Sequence, residues 1–353
     1  KHTKKSIFSI ASVTKPLTAV GVMTLVDANK LTLETTLDTF FPNFIPEYSK
    51  KINIRHLLNH SSGLQANIGR IDDNGIGLMP GKSEVTLPQL LDKFKNTKLN
   101  FEPGENYEYN NFGYSLLAYI IEKVSKKSYA DYMNEAVFKR ANMKNTAVGK
   151  FKTLNRKAYP HSGLGMGSFN IIKHPFFSSW VIGAGNINST TVDLYNFMKA
   201  LENGKILKPS TLSKLYNLTQ SRGIEKTAYG LGWVIDNKGG EKWIYHTGLL
   251  PGAASIIGTL PEQDIKIIIL TNATATDLNA DDGFKGKSQF VDSEIINNVI
   301  AILQNKKPDL LPIEIKKPKN NEVDYSKTYA LDNEHVAPII TKGNSYVLNT
   351  NQH

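Results

Sequence analysis

Phe8-Ser9-Ile10-Ala11-Ser12-Val13-Thr14-Lys15 leads into a segment, residues 12–28, that is apolar on almost every side when wound as a helix. Val13, Leu17, Val20, Val22, Met23, Leu25 and Val26 leave no polar face, so this helix is expected to be buried. Pro16 falls in its first turn, where no intrahelical hydrogen bond is lost. On a helix, positions three apart share a face, so the Lys15 amine lies beside the Ser12 hydroxyl. Ser12, at the helix start, also sits where backbone N–H groups and the dipole favour a developing anion. An amine made neutral by burial can take the serine proton, and the N–H groups can hold the resulting oxyanion. Ser12 and Lys15 form the only Ser-x-x-Lys pair in the chain. Such a pair also arises by chance, so its weight depends on the motifs found further along the chain.

Two more short motifs come after it in order. Tyr109-Asn110-Asn111 falls in a loop just before a helix over Gly113–Ser125, where side chains can reach a pocket. A tyrosine beside a lysine can pass protons, and an asparagine amide can orient a substrate. Tyr132-Met133-Asn134 has the same spelling but lies in the middle of a helix expected over residues 129–143, and reads as packing. His246-Thr247-Gly248 closes a strand, and a strand edge ending in glycine can pair its backbone with an extended substrate.

With these residues in place, the chain resembles the serine β-lactamase and penicillin-binding protein family, on its class C-like branch with DD-carboxypeptidases and esterases. Four stretches carry the resemblance. They are Phe8–Ser12, Leu57-Leu58-Asn59-His60-Ser61-Ser62-Gly63-Leu64, Pro103-Gly104 leading to Tyr109-x-Asn111 and Gly113-Tyr114, and His246-Thr247-Gly248 with Pro251-Gly252. The resemblance implies an α+β fold of the β-lactamase/transpeptidase type. In it an antiparallel sheet flanked by helices and a mostly helical subdomain hold the active site between them. It also implies that Ser12 is acylated, with Lys15 as its proton partner and Tyr109 as general base or proton relay. Asn111 then holds the substrate amide, His246, Thr247 and Gly248 line the substrate strand, and the N–H groups of Ser12 and Leu249 form the oxyanion hole. Neither cofactor nor metal enters this cycle.

The chain departs from the family pattern in three places. His246 stands where many β-lactamases have lysine, and a neutral imidazole holds a carboxylate less strongly than an ammonium. Leu249-Leu250 is bulky. The family places two strands and a helix ahead of the nucleophile, where 11 residues stand here, so those elements are expected to be missing from this stretch or supplied elsewhere. The implied activity is a D-alanyl-D-alanine carboxypeptidase-like peptidase or D-amino-acid esterase of the bacterial envelope. Its substrate is a peptidoglycan-type D-Ala peptide or ester, and β-lactams are possible ligands. A class C-like β-lactamase is the alternative, and a non-catalytic wall-binding or sensor protein on the same fold is the alternative of another class. The implied location is exported, periplasmic or at the cell surface.

Composition narrows the field further. The 353 residues hold no cysteine, which removes disulfides, thiolate metal sites and a cysteine nucleophile. The net charge is +10, but the lysines are dispersed apart from Lys306, Lys307, Lys316, Lys317 and Lys319 among prolines and asparagines. That cluster reads as a solvated linker, so nucleic acid is not expected as a partner. Apolar runs such as Ala19–Val26 are too short to span a membrane. His56 and His60 have metal-ligand spacing, but Leu57 stands where His-Glu-x-x-His needs glutamate. Gly81-Lys82-Ser83 and Gly286-Lys287-Ser288 resemble phosphate-loop ends, with Ile76 and Asp281 in place of the first glycine. Trp180 and Trp233 read as core side chains.

The expected organisation is a hydrolase domain over 1–303, a linker over 304–322 and the start of a small β-rich region over 323–353. Within the first, Thr190-x-x-Asp193 caps a helix that stops at Gly204. Strands are expected over Tyr229–Asp236, Lys242–His246, Ala254–Leu260 and Ile265–Thr271, and a helix over Asp292–Leu303. Residues 150–188 show little periodicity, and about two short strands are expected in the last 30 residues.

Overall fold

The computed structural model describes residues 2–42, 44–45, 47–65, 89, 91–92, 95, 97–149, 158, 161–164, 168–171, 181–217, 219–223, 227–238, 240–250, 253–274, 297–308, 328–330, 336–342 and 345–348. Helix α1, Thr14–Asp27, is buried continuously from Thr14 to Leu25, as its all-round apolar pattern requires. A short 3-10 turn, Ala11–Val13, precedes it and carries Ser12. Helix α2 is Ile54–Leu58, and helix α3, Asn111–Ser125, packs against α1. Helix α4, Tyr129–Met133, gives way to a π-helical turn over Asn134–Phe138, so the single helix expected there is shorter and wider at its end. Tyr132 does pack, with its hydroxyl 2.8 Å from Thr24 Oγ1.

Helix α5, Thr191–Glu202, begins at the expected cap, where Thr190 Oγ1 accepts the Asp193 N–H at 3.1 Å. The Asp193 carboxylate does not complete a capping box. It accepts instead from the Asn145 N–H and the Thr146 hydroxyl, tying residues 145–146 to the helix start. Helix α6 is Pro209–Asn217.

Strands β1, Phe8–Ser9, and β2, Ala147–Val148, both pair antiparallel with β5, Ile187–Ser189. Strands β3, His161–Leu164, and β4, Ser168–Ile171, form a hairpin inside a region with no readable period. The main sheet is antiparallel and six-stranded. It runs β6 (Gln220–Ser221), β7 (Ala228–Tyr229), β8 (Val234–Lys238), β9 (Glu241–Leu250), β10 (Ala253–Leu260) and β11 (Ile265–Thr271), in spatial as in chain order. Strand β12, Ala273–Thr274, runs parallel to β3.

The single strand expected over Tyr229–Asp236 is two. Gly230-Leu231-Gly232 folds the chain back so that Tyr229 pairs with Val234, and Gly232 takes φ +88°, which a side chain there would resist. Strand β9 is longer than expected and runs on to Leu250. Among the described residues the far C-terminal segment holds three strands rather than two: β13, Thr328–Ala330, β14, Val336–Lys342, and β15, Ser345–Leu348.

Alternate residues of β9 and β10 serve two cores. Ile244 and Ile257 join the large cluster around α1 and α3. Trp243, Ile256 and Leu260 face the other way and pack against Ile300, in a helical stretch over residues 297–303. Residues 292–296 lie outside the described part of the expected helix. Trp233 is a core side chain, 1% exposed, while Trp180 and both glycine-lysine-serine stretches lie outside the described residues. His56 accepts the Asn53 N–H on Nδ1 and so helps to cap α2. No helix among the described residues is long and apolar enough to cross a membrane.

Candidate active site

The turn that carries Ser12 is pinned from both sides. The Ile10 N–H donates to the Ile187 carbonyl at 3.1 Å, and the Ile10 carbonyl accepts from the Val13 N–H and, at 2.7 Å, from the buried Ser255 hydroxyl on β10. Ala11, buried between them, has φ +47°. That left-handed conformation costs a non-glycine residue on the order of 1 kcal/mol or more, and surrounding bonds of this kind are what hold it. The result lifts Ser12 to a half-buried position at the mouth of the central helix.

Lys15, one turn on, is fully buried. Its Nζ lies 3.1 Å from Ser12 Oγ, 2.7 Å from Asn111 Oδ1 and 3.0 Å from the Ala184 carbonyl oxygen. None of these partners is charged, so nothing offsets the loss of water around an ammonium. Burial therefore pulls the Lys15 pKa well below its ordinary value. Asn111 is brought there by α3, whose N-terminus is capped by the Asn110 side chain accepting the Gly113 N–H at 3.0 Å.

Tyr109 stands across from Lys15, with Nζ 4.6 Å from its ring centroid, and its phenol feels the Ser12 side chain. Burial raises the phenol pKa and the Ser12 side chain pulls it back only in part, so Tyr109 keeps its proton. The two groups facing Ser12 are thus pushed in opposite directions: the lysine toward its neutral base, the tyrosine toward its neutral acid.

The third motif meets this pair through Gly248. A Cβ built on Gly248 would lie 2.4 Å from the Ile10 carbonyl, 2.4 Å from Ser255 Oγ and 2.9 Å from the Ser12 nitrogen. Only glycine lets β9 come this close to the turn that carries Ser12. Strand β8 pairs with β9 no further than Tyr245, so among the described residues His246–Leu250 have no strand partner on that side. Thr247 is exposed, and it alternates with His246 and Gly248 along the strand.

His246 is turned inward and 3% exposed. Its Nδ1 lies 2.6 Å from its neighbour's carbonyl, Thr247 O, and its Nε2 lies 2.8 Å from the Tyr229 hydroxyl. A carbonyl cannot donate, so Nδ1 carries the proton and the Tyr229 hydroxyl donates to Nε2. Burial lowers the His246 pKa to about 3, so the ring is neutral.

Ser12, Lys15, Tyr109, Asn111 and Gly248 therefore converge, while the His246 ring occupies itself with Tyr229. The Ala184 carbonyl and the rings of His60 and Tyr229 also surround the site. A backbone carbonyl has no sequence code. His60 belongs to the Leu57–Leu64 stretch, where its spelling gives it no role, and Tyr229 is placed only by the unforeseen Gly230–Gly232 turn.

A family model described as Beta-lactamase matches residues 1–288. The chain belongs to the beta-lactamase family. Members of this beta-lactamase and penicillin-binding protein family are serine hydrolases. Among its relatives is penicillin-binding protein 4* of Bacillus subtilis, 30% identical over 285 residues, covering 76% of this chain and 61% of the relative. The chain thus spans less than two thirds of that relative's length. D-amino acid amidase from Ochrobactrum anthropi, solved with L-phenylalanine amide, superposes with a TM-score of 0.74 at 25% identity, covering 86% of this chain and 85% of its own. A class C β-lactamase mutant shares the fold, with a TM-score of 0.64 at 18% identity, covering 78% and 80%. The α+β fold implied by the four motifs is the fold found.

Proposed function

We propose that this member of the beta-lactamase family is a serine hydrolase that forms an acyl-enzyme on Ser12. Its substrate class is a D-alanyl peptide or a D-amino-acid amide or ester. The observation that carries this is the Lys15 amine, buried without a charged partner and 3.1 Å from the Ser12 hydroxyl. Lys15 takes the hydroxyl proton as Ser12 Oγ attacks the substrate carbonyl, whose π electrons move onto oxygen. The Ser12 and Leu249 N–H groups receive that oxyanion. As the carbon–nitrogen or carbon–oxygen bond breaks, the leaving group takes the Tyr109 proton, which the Lys15 ammonium replaces. Water, deprotonated by the same pair, then cleaves the ester and releases Ser12.

Substrate choice is set by charge. A neutral, internally bonded His246 offers no cation to a carboxylate, which favours uncharged amides and esters over β-lactams and over D-alanyl peptides that end in a free carboxylate. The D-amino acid amidase neighbour supports the same choice. An envelope location is in keeping with the penicillin-binding relative and with the +10 charge beside anionic wall polymers.

The test is turnover of D-phenylalanine amide and p-nitrophenyl acetate, with labelling by a fluorescent penicillin, in the wild type and Ser12→Ala. Turnover that Ser12→Ala abolishes is expected. Absence of both labelling and Ser12-dependent turnover would sink the proposal and leave a wall-binding role. Rapid penicillin hydrolysis would promote a β-lactamase instead.

A further inference from the structure

His60 reaches Tyr109 from both sides of its backbone. The His60 carbonyl accepts the Glu108 N–H at 2.9 Å, and His60 Nδ1 accepts the Asn110 N–H at 3.1 Å. The two ring centroids are 4.5 Å apart. Rings of Tyr229, Tyr114 and Tyr107 close around His60 at 4.6, 5.2 and 5.9 Å.

This placement is costly for a histidine. The residue is 1% exposed and has φ +62°, in the left-handed region. Because Nδ1 accepts, the proton of the neutral ring is on Nε2, which is buried and meets no hydrogen-bond partner among the described residues. An apolar side chain would fill the same cage without an unpaired N–H. What histidine adds is the acceptor for the Asn110 N–H, on the chain segment that aims Tyr109.

We propose that His60 is a positioning residue that clamps residues 108–110 and thereby holds the Tyr109 phenol beside the Ser12–Lys15 pair. This rests on the proposed acyl transfer, in which Tyr109 moves a proton.

The experiment measures burst kinetics with p-nitrophenyl acetate and steady-state kinetics with D-phenylalanine amide, whose departing amine must take a proton, on the full chain, for Tyr109→Phe, His60→Asn and His60→Phe, and for His60→Phe combined with Tyr109→Phe, kcat being read with the amide. Asparagine tolerates the left-handed backbone and puts an amide oxygen near the position of Nδ1, so it is expected to keep kcat within about threefold. Phenylalanine keeps the ring but not the acceptor. Its kcat is expected to fall about ten- to a hundredfold with KM little changed, as for other small misplacements of a catalytic group. In the Tyr109→Phe background the same change should cost nothing further, the non-additivity expected of residues acting as a unit. His60→Leu replaces His60→Phe in the cycle if the latter does not fold. Wild-type kcat in His60→Phe, or an equal loss in both backgrounds, overturns the proposal. If Ser12→Ala or Tyr109→Phe leaves turnover intact, the acyl-transfer proposal itself fails and takes this one with it.

Discussion

The Lys15 amine faces the Ser12 hydroxyl at 3.1 Å, and its other two contacts, Asn111 Oδ1 and the Ala184 carbonyl, can only accept. Two N–H bonds of a neutral amine go to those oxygens, which leaves the lone pair aimed at Ser12 Oγ–H. After proton transfer the same three directions serve an ammonium with three donors. The site therefore holds both ends of the proposed proton transfer without rearrangement, which is where a preorganised site gains over water.

Acylation is expected to follow the deprotonation of Lys15. A folded-state pKa well below 10.5 means that the rate rises with pH through that lowered value and levels off before an ordinary lysine would titrate. Lys15→Arg keeps a cation that cannot lose its proton, so it should cost about a hundredfold or more in acylation rate at every pH up to 9. The check is the burst rate against pH, and an Arg variant with a wild-type burst would refute the base role.

Asn111→Asp is expected to move that profile. A carboxylate 2.7 Å from Nζ in place of the amide oxygen stabilises the ammonium, raising the Lys15 pKa by roughly one to three units. The rising limb of the pH–rate profile should shift to alkaline pH by a similar amount, while Asn111→Ala lowers the rate without such a shift.

Gly248→Ala is expected to damage both activity and stability. The added methyl group meets two atoms held rigidly by other bonds, the Ile10 carbonyl and Ser255 Oγ, each at 2.4 Å. Overpacking of this kind costs about 1–3 kcal/mol and pushes β9 off the Ser12 turn. Denaturant midpoints and burst amplitude measure the two effects, and a variant unchanged in both would remove Gly248 from the account.

Stability is expected to fall on mild acidification, in part through His246. In the unfolded chain this side chain binds a proton below about pH 6.5, whereas in the folded protein it stays neutral down to about pH 3. The unfolded state then holds more protons across that window, so the contribution is full above pH 6.5 and is lost progressively toward pH 3. The limiting slope for one such group is about 1.4 kcal/mol per pH unit. His246→Gln, which can still accept from Tyr229, should flatten the dependence of Tm on pH between 6.5 and 4 by about one proton's worth.

The sequence by itself determined the fold, and it singled out Ser12, Lys15, Tyr109 and Asn111, which the structure brings together. The all-round apolar pattern after Ser12 could belong only to a buried helix, and burial already implies a lysine that loses its charge. The helix stop expected at Gly204 followed from equally local turn chemistry. Tertiary structure alone decided what surrounds these residues. Gly230-Leu231-Gly232 broke an apparently continuous strand and delivered Tyr229 to His246, turning that ring inward. The Ala184 carbonyl became the third partner of Lys15 because a backbone acceptor is shared by every residue type. His60 met Asn110 across 50 residues of sequence. Local pattern records propensity and burial, whereas these contacts depend on where distant segments stop and turn.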